Sequence, residues 1–336
     1  MMNNSVKKGI LTALVSLLAT SPQAAQQVTV YTAFETDILA KYKAAFEKDN
    51  RDISIKWVRD STGIMTAKLL AEKGNPRADV VWGLAGSSMA LLKEQGLLKP
   101  YTPRGSENLN ADLNDPQPRQ AWFGNDAFFN AVCFNEVVAK QLDLPKPTSW
   151  QDLIKPIYKG HIAMPNPASS GTGYMQVSAW LQNMGEEQGW SYMQKLDKNM
   201  AHYTHSGSKP CVQAGMGEVA IGISMASRGA KLKTQGAPLA VITPKGIGWE
   251  AEAVGLVTES SVAKRVVDWS VSKAANELYV EMYPVVGHKQ VKATVSHFPN
   301  VEANMAKMDF AQMGSKRAAI LAKWSKKFDA KSEPQS

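Results

Sequence analysis

The sequence predicts an α/β chain organised as two domains or one large two-lobed unit, with two apolar runs that read as strands crossing between its halves. Three observations predict it. Short β-rich runs alternate with segments whose apolar residues recur at helical spacing. Two apolar runs, 128–134 and 252–257, fall where a two-lobed chain would pass from one lobe to the other. About 310 residues follow an apparent leader, enough for two domains or one large two-lobed unit.

The leader comes first. Lys7 and Lys8 form a basic start, and the apolar run 9–19 is too short and wrongly flanked to span a membrane. Pro22-Gln23-Ala24-Ala25 offers a cleavage site near Ala25, displaced by a residue or two if Gln23 fits poorly. With no Cys near the cut for a lipid, residues 1–25 read as a signal peptide and the product as exported and soluble. Strand 28–31 follows, then a helix with Phe34, Ile38, Tyr42 and Phe46 on one face. Strand 53–58 leads into a helix starting at Thr62-Gly63, and after strand 78–83 Ser87 and Ser88 precede a helix that Gly96 stops. After the first crossing, Thr148-Ser149-Trp150-Gln151 fits a capping box opening a short helix. Strand 161–164 runs through a Pro-, Ser- and Gly-rich turn into a helix with Tyr174, Val177, Leu181 and Met184 on its apolar face. Strand 202–204, a helix over Val212 and strand 219–224 precede the second crossing. Helices over 262–282 and 318–328 close the chain. Lobe 1 is expected from 26–127 and 250–282, lobe 2 from 128–249 and 283–330, and 331–336 as a disordered tail.

The formal charge of +8 falls to +6 without Lys7 and Lys8. Basic residues form no stripe interleaved with aromatics, so nucleic acid is not an expected partner. A mild positive field favours an anionic ligand. In an oxidising compartment Cys133 and Cys211 either pair or remain two buried thiols.

Enzymatic signatures are missing. No Gly-x-Ser-x-Gly elbow occurs. Gly171-Thr172-Gly173 begins a dinucleotide-like pattern, but Gln176 stands at the third glycine position and no P-loop Lys follows. His202-x-x-His205 lacks a nearby third ligand for zinc. No catalytic residue, metal or cofactor is therefore expected. The turn 164–174 is the most informative segment, because the unpaired N–H groups of a helix start, with small residues and hydroxyls, suit an oxyanion. An ordinary capped helix is the competing explanation.

The chain resembles the ferric-iron and phosphonate group of periplasmic solute-binding proteins of ABC importers. The resemblance rests on Val28-Thr29-Val30-Tyr31, Ala78-Asp79-Val80-Val81-Trp82-Gly83, Pro147-Thr148-Ser149-Trp150-Gln151-Asp152-Leu153, Tyr158-Lys159-Gly160-His161-Ile162-Ala163-Met164-Pro165-Asn166-Pro167, the Ser170-Gly171-Thr172-Gly173 run and Gly217-Glu218-Val219-Ala220-Ile221-Gly222. Within that group it is most similar to the 2-aminoethylphosphonate-binding proteins. The resemblance implies a periplasmic binding protein, two lobes around a cleft, an inner-membrane ABC permease as partner, and a monomer.

Iron-binding members carry a tyrosine pair after the strand matching 219–224, and a histidine after the first strand. Here Met225-Ala226-Ser227-Arg228-Gly229 and Glu35 stand at those places. Fe(III), a hard cation, becomes the runner-up; a sugar-phosphate or thiamine binder and a secreted hydrolase rank lower. A zwitterionic aminoalkylphosphonate needs donors at one end and a carboxylate at the other. The expected donors are Ser61, Thr62, Ser169, Ser170, Gly171 and Thr172, with His205, Ser206 and Ser208 at a second polar turn near Lys209. Glu35 is the expected ammonium partner, with Glu250 and Glu252 as alternatives. Tyr31, Thr32 and Trp82 are expected at the pocket wall, the aromatic rings facing the cation. Each also has a bland explanation: Glu35 as a helix-start charge, Trp82 as core, Lys209 as a solvated side chain.

Overall fold

β-Branched and aromatic residues make the first strand, β1 (Gln26–Thr32), which buries Val28 and Val30. In this computed structural model residues 25–292 and 294–334 are described; the expected signal peptide apart from Ala25, and the last two tail residues, lie outside them. α1 (Thr36–Asp49) buries Leu39, Tyr42 and Phe46 on its apolar stripe. β2 (Ile53–Arg59), α2 (Thr62–Ala71), β3 (Val80–Ala85) and α3 (Gly86–Glu94) continue the alternation. β1 pairs in parallel with both β2 and β3, and these strands form the sheet of lobe 1.

The first crossing is longer than expected. β4 (Trp122–Asn135) is buried along all 14 residues, although Asn125, Asp126 and Asn130 interrupt its apolar side chains. Its first part pairs antiparallel with β9 (Trp249–Leu256), and its second part with β7 (Ile221–Met225) and β8 (Leu239–Ile242). One strand thus belongs to both lobes. β9 in turn pairs with β3, so the order runs β2-β1-β3-β9-β4-β7-β5-β6, where β5 (Ile162–Pro165) and β6 (Met200–Thr204) complete lobe 2. The sheet is continuous and strongly curled.

Around the lobe 2 strands lie α4 (Glu136–Gln141), α5 (Gly171–Met184), α6 (Glu186–Asp197), α7 (Lys209–Met216) and α8 (Ala226–Thr234). Ser170 caps α5, accepting from the Gly173 N–H at 3.3 Å. Cys133 on β4 and Cys211 on α7 form a disulfide with Cα atoms 5.3 Å apart, which decides between the two readings of the pair.

Several expectations need correction. Residues 148–151 do not open an α-helix. Asp152, rather than Gln151, takes the N–H groups of Thr148 and Ser149 at 2.9 and 3.0 Å, and a 3-10 turn Asp152–Ile154 follows. The long helix over 262–282 is two, α9 (Ser261–Ser270) and α10 (Lys273–Tyr279), because Ser272 leaves the helix and caps the second through Ala275 N–H at 3.3 Å. β10 (Val285–Val286) pairs with Ala127 and Asp126, so the chain just after 282 stays with lobe 1. The final helix, α11 (Phe310–Phe328), starts earlier than expected and spans both lobes. Gly314 lets it press on α3, where an added Cβ would sit 3.0 Å from the Ser87 carbonyl oxygen, while Trp324 and Phe328 join the lobe 2 core. The described part of the tail, 331–334, is tied down: Glu333 N–H donates to the Tyr203 carbonyl at 2.8 Å, and its carboxylate pairs with Lys209 at 2.8 Å.

Candidate functional site

Strand ends and helix starts of both lobes meet over the crossing strands, the place where open α/β sheets hold ligands. Lobe 1 contributes Ala33, Glu35, Arg59, Ser61 and Thr62; lobe 2 contributes Ser170, Gly171, Thr172, Ser206, Gly207 and Met225. Phe128 of β4 and Glu252 of β9 form the floor.

The chain conformation follows from local rules. β2 ends at Arg59, and the turn to α2 is fixed by Asp60, whose Oδ1 accepts from the Ser61 N–H at 2.6 Å. Thr66 Oγ1 donates back to the Thr62 carbonyl at 2.6 Å, holding the first turn. Across the cleft, Asn166 Oδ1 accepts from Ala168 N–H at 2.8 Å, and Asn130 Nδ2 reaches the Thr172 carbonyl at 3.2 Å. Ser224 Oγ donates to the Gly207 carbonyl at 2.6 Å and pins the polar turn 206–208.

The lobes are closed on one another. Gly63 N–H donates to the Ser169 carbonyl at 2.8 Å. His205 Nε2 lies 2.9 Å from Asp60 Oδ1. Arg228 Nη2 donates to Glu35 at 2.8 Å, and Lys231 pairs with Asp37 at 2.6 Å. Asp37 is partly desolvated, yet Lys231 and Arg228 hold its carboxyl below the usual range.

Seven expected residues line the pocket: Glu35, Ser61, Thr62, Ser170, Gly171, Thr172 and Ser206. Ser169, His205 and Ser208 sit at its edge, engaged in closure. Ser169 Oγ donates to the His205 carbonyl at 2.9 Å, and Ser208 Oγ to Glu35 at 3.2 Å. Four expected residues are elsewhere. Tyr31 is buried in the core with its hydroxyl on Glu72 at 2.8 Å. Thr32 Oγ1 is buried and accepts from Phe34 N–H at 3.1 Å. Trp82 lies in the lobe 1 core, its Nε1 donating to Tyr279 at 3.0 Å. Glu250 is buried with Oε2 on the Ser87 N–H at 2.8 Å, and burial pushes its carboxyl up to about 7. Glu35 faces the pocket, but its charge is already met by Arg228.

Two features went unread in the sequence. Arg59 is the first: its Nε donates to the Phe34 carbonyl at 3.0 Å, and among the described residues it forms no ion pair with a carboxylate. Its position at a strand's carboxyl end, two residues before a helix start, was the available signal. The second is the pairing of Glu252, an expected alternative ammonium partner that does line the pocket, with Asp126 directly opposite across β4 and β9. Asp126 is completely buried and Glu252 is 6% exposed. Burial, with Glu35 nearby, pushes the Glu252 carboxyl up to about 7; burial and Glu252 push Asp126 up. Serine hydroxyls, helix-start N–H groups and Arg59 can together hold an oxyanion, while Glu252 can hold a donor group on the same solute.

Comparison with known proteins agrees with this architecture. Residues 75–303 match the family described as bacterial extracellular solute-binding protein. The chain is 30% identical over 194 residues to a probable ABC transporter periplasmic-binding protein, y4fP, of Sinorhizobium fredii, covering 55% of this chain and 51% of that one. It is 24% identical over 216 residues to a putative 2-aminoethylphosphonate-binding periplasmic protein of Salmonella typhimurium, covering 62% and 60%. Among solved structures it is similar to the periplasmic binding protein AfuA of Actinobacillus pleuropneumoniae with fructose-6-phosphate bound, at a TM-score of 0.85 and 26% identity over 90% of this chain and 99% of that one. The chain belongs to the bacterial extracellular solute-binding proteins. Its function is that of a periplasmic solute-binding component of an ABC transporter, and the fold is the two-lobed one the sequence predicts.

Proposed function

We propose that this bacterial extracellular solute-binding protein captures a small solute bearing a phosphonate or phosphate group, with 2-aminoethylphosphonate as the first candidate, and delivers it to an inner-membrane ABC permease. The observation that carries the proposal is the convergence of Arg59 with two hydroxyl-rich helix starts, Ser61-Thr62 and Ser170-Gly171-Thr172, on one pocket. Helix-start N–H groups and serine hydroxyls are oxyanion donors, and a guanidinium adds a charge-assisted fork. The same guanidinium repels Fe(III), and the end of β7 supplies Met225 and Ser227 in place of phenolates.

A sugar phosphate is the second reading. The likeness to AfuA supports it, and so does Glu252, whose carboxyl at about 7 suits a sugar hydroxyl as well as an amine. In both readings the oxyanion end is the same and no chemistry is done on the ligand. The mature chain is released near Ala25 and works as a monomer.

Thermal-shift and calorimetric titration of ligand-free protein test the proposal. The panel is 2-aminoethylphosphonate, ethylphosphonate, fructose-6-phosphate, inorganic phosphate, thiamine and Fe(III). A ligand at a hundredfold over its Kd raises stability by about 2.7 kcal/mol, a visible melting shift. Stabilisation by a phosphonate or phosphate ester supports the reading. A response to Fe(III) with a phenolate-to-iron absorption band, and none to the phosphorus compounds, overturns it.

A further inference from the structure

Like charges directly opposite on neighbouring strands are unfavourable, and burial makes them more so. Yet β4 and β9 place Asp126 directly opposite Glu252 at the base of the cleft. Both strand pairings at this point are irregular: the β4–β9 register shifts between Gly124 and Asp126, and the β3–β9 register between Trp82 and Leu84. The arrangement is therefore set by two local distortions of the sheet, which are costly to keep where they serve nothing. Neither Asp126 oxygen, nor Glu252 Oε2, has a hydrogen-bond partner among the described residues. Among the described residues no Lys or Arg forms an ion pair with either carboxylate. Asp126 is walled off from the pocket, whereas Glu252 lines it.

We propose that Glu252, backed by Asp126, is the subsite that recognises a protonated amine on the ligand, and that a proton leaves the carboxyl pair as the amine enters. The inference rests on the phosphonate reading above and deepens it by giving the ammonium a site other than Glu35. Two buried carboxyls this close titrate as a unit and keep a proton between them. An arriving ammonium takes that proton's place. It donates N–H bonds to Glu252, the displaced proton passes to solvent, and the site's net charge is unchanged. Glu252 makes the contact; Asp126 is a positioning residue that sets the proton affinity of the pair.

The groups facing the pair leave the assignment open to the amine alone. Glu35 on the α1 side adds negative charge and is itself engaged with Arg228. Arg59 is the cation in the same pocket. The Tyr283 hydroxyl faces Glu252 and favours its charged form, Tyr42 lies near both carboxyls, and Tyr279 is committed to the Ser270 carbonyl at 2.8 Å. All three tyrosines are pushed up by burial and stay neutral. Because burial pushes both carboxyls of the pair up, the fraction ready for an ammonium grows as pH rises. Affinity for an amine-bearing ligand rises with it.

The test compares 2-aminoethylphosphonate with ethylphosphonate on the full mature chain. Ethylphosphonate has the same oxyanion, so titration of the phosphonate affects both ligands. The wild type is expected to prefer the amine by roughly 10- to 100-fold at pH 8, the range of one to two hydrogen bonds to charge, and by less at pH 5.5. Calorimetry in two buffers of different ionisation enthalpy is expected to find more protons released with the amine than without it. Glu252→Gln should collapse the preference and its pH dependence, and Asp126→Asn should shift the pH dependence while keeping part of the preference. Equal binding of the two phosphonates by the wild type overturns the inference and leaves the phosphonate reading standing. A preference with no extra proton release, or one that survives Glu252→Gln, also overturns it. If neither phosphonate binds while fructose-6-phosphate does, amine recognition falls and the phosphate-group reading survives. Should Glu252→Gln not fold, the proton count on the wild type decides alone.

Discussion

Gly63 is the residue at which closure of the cleft can be separated from the fold of either lobe. It occupies the first turn of α2 and its N–H donates across the cleft to the Ser169 carbonyl at 2.8 Å. An added Cβ would run into the Ala168 carbonyl oxygen and come within 2.7 Å of the Ser169 oxygen. Both obstacles are backbone of the other lobe, so neither can rotate away. Gly63→Ala is therefore expected to keep the lobes apart while leaving lobe 1 intact, because Ala is the better helix former by about 1 kcal/mol. The closed state loses the Gly63–Ser169 bond, about 0.5–1.5 kcal/mol. It also loses the adjacent pair of Asp60 and His205, both about a third exposed and worth no more than about 1 kcal/mol after screening. With strain from the overlap added, ligand affinity should fall by at least about 2 kcal/mol, or roughly thirtyfold. Calorimetry gives the affinity, and small-angle scattering reports whether ligand compacts the molecule. The ligand-free melting temperature should hold or rise. Affinity within threefold of wild type, with compaction retained, would refute the reasoning and mean that the ligand does not require this closure.

Three further outcomes are expected. Arg59→Gln should weaken a phosphonate or phosphate ester about 10- to 100-fold and flatten the salt dependence of binding, checked by titration at two ionic strengths; an unchanged Kd would remove Arg59 from the oxyanion site. Replacing Ser170 and Thr172 together by Ala should cost about 1.5–3 kcal/mol per lost hydrogen bond to charge, and an unchanged Kd in the folded double mutant would leave Ser61 and Thr62 as the hydroxyl donors. The Cys133–Cys211 disulfide joins residues 78 apart, so reductant should lower the unfolding free energy by about 4 kcal/mol, measured in urea; a shift under 1 kcal/mol would show that the bond matters little to stability.

The parts of this protein that were legible in its sequence are those whose information is local. Apolar spacing places α1, because Tyr42 and Phe46 must face the sheet whatever lies beyond it. The Ser-Gly-Thr run marks the α5 start, because capping and oxyanion exposure are properties of one turn. The failures are equally physical. Tyr31 and Trp82 sit on strands beside pocket residues, but an aromatic side chain on a strand buried on both faces reaches a core in either direction, and each does. The break between α9 and α10 turns on Ser272, a weak helix former mid-segment that acts as a cap only because its hydroxyl finds Ala275. Glu35 was assigned to an ammonium from its place after a strand. Its partner, Arg228, lies 193 residues away, and nothing in either neighbourhood announces the contact. A comparably long stretch of chain hides Asp126 from Glu252. Asp126 alone reads as an ordinary charged residue interrupting an apolar run, and Glu252 as one of several carboxylates that could meet an ammonium. Only the antiparallel register of two crossing strands makes them neighbours, and with a site of this kind the local chemistry can be read in advance while the pairing that gives it a purpose must be seen.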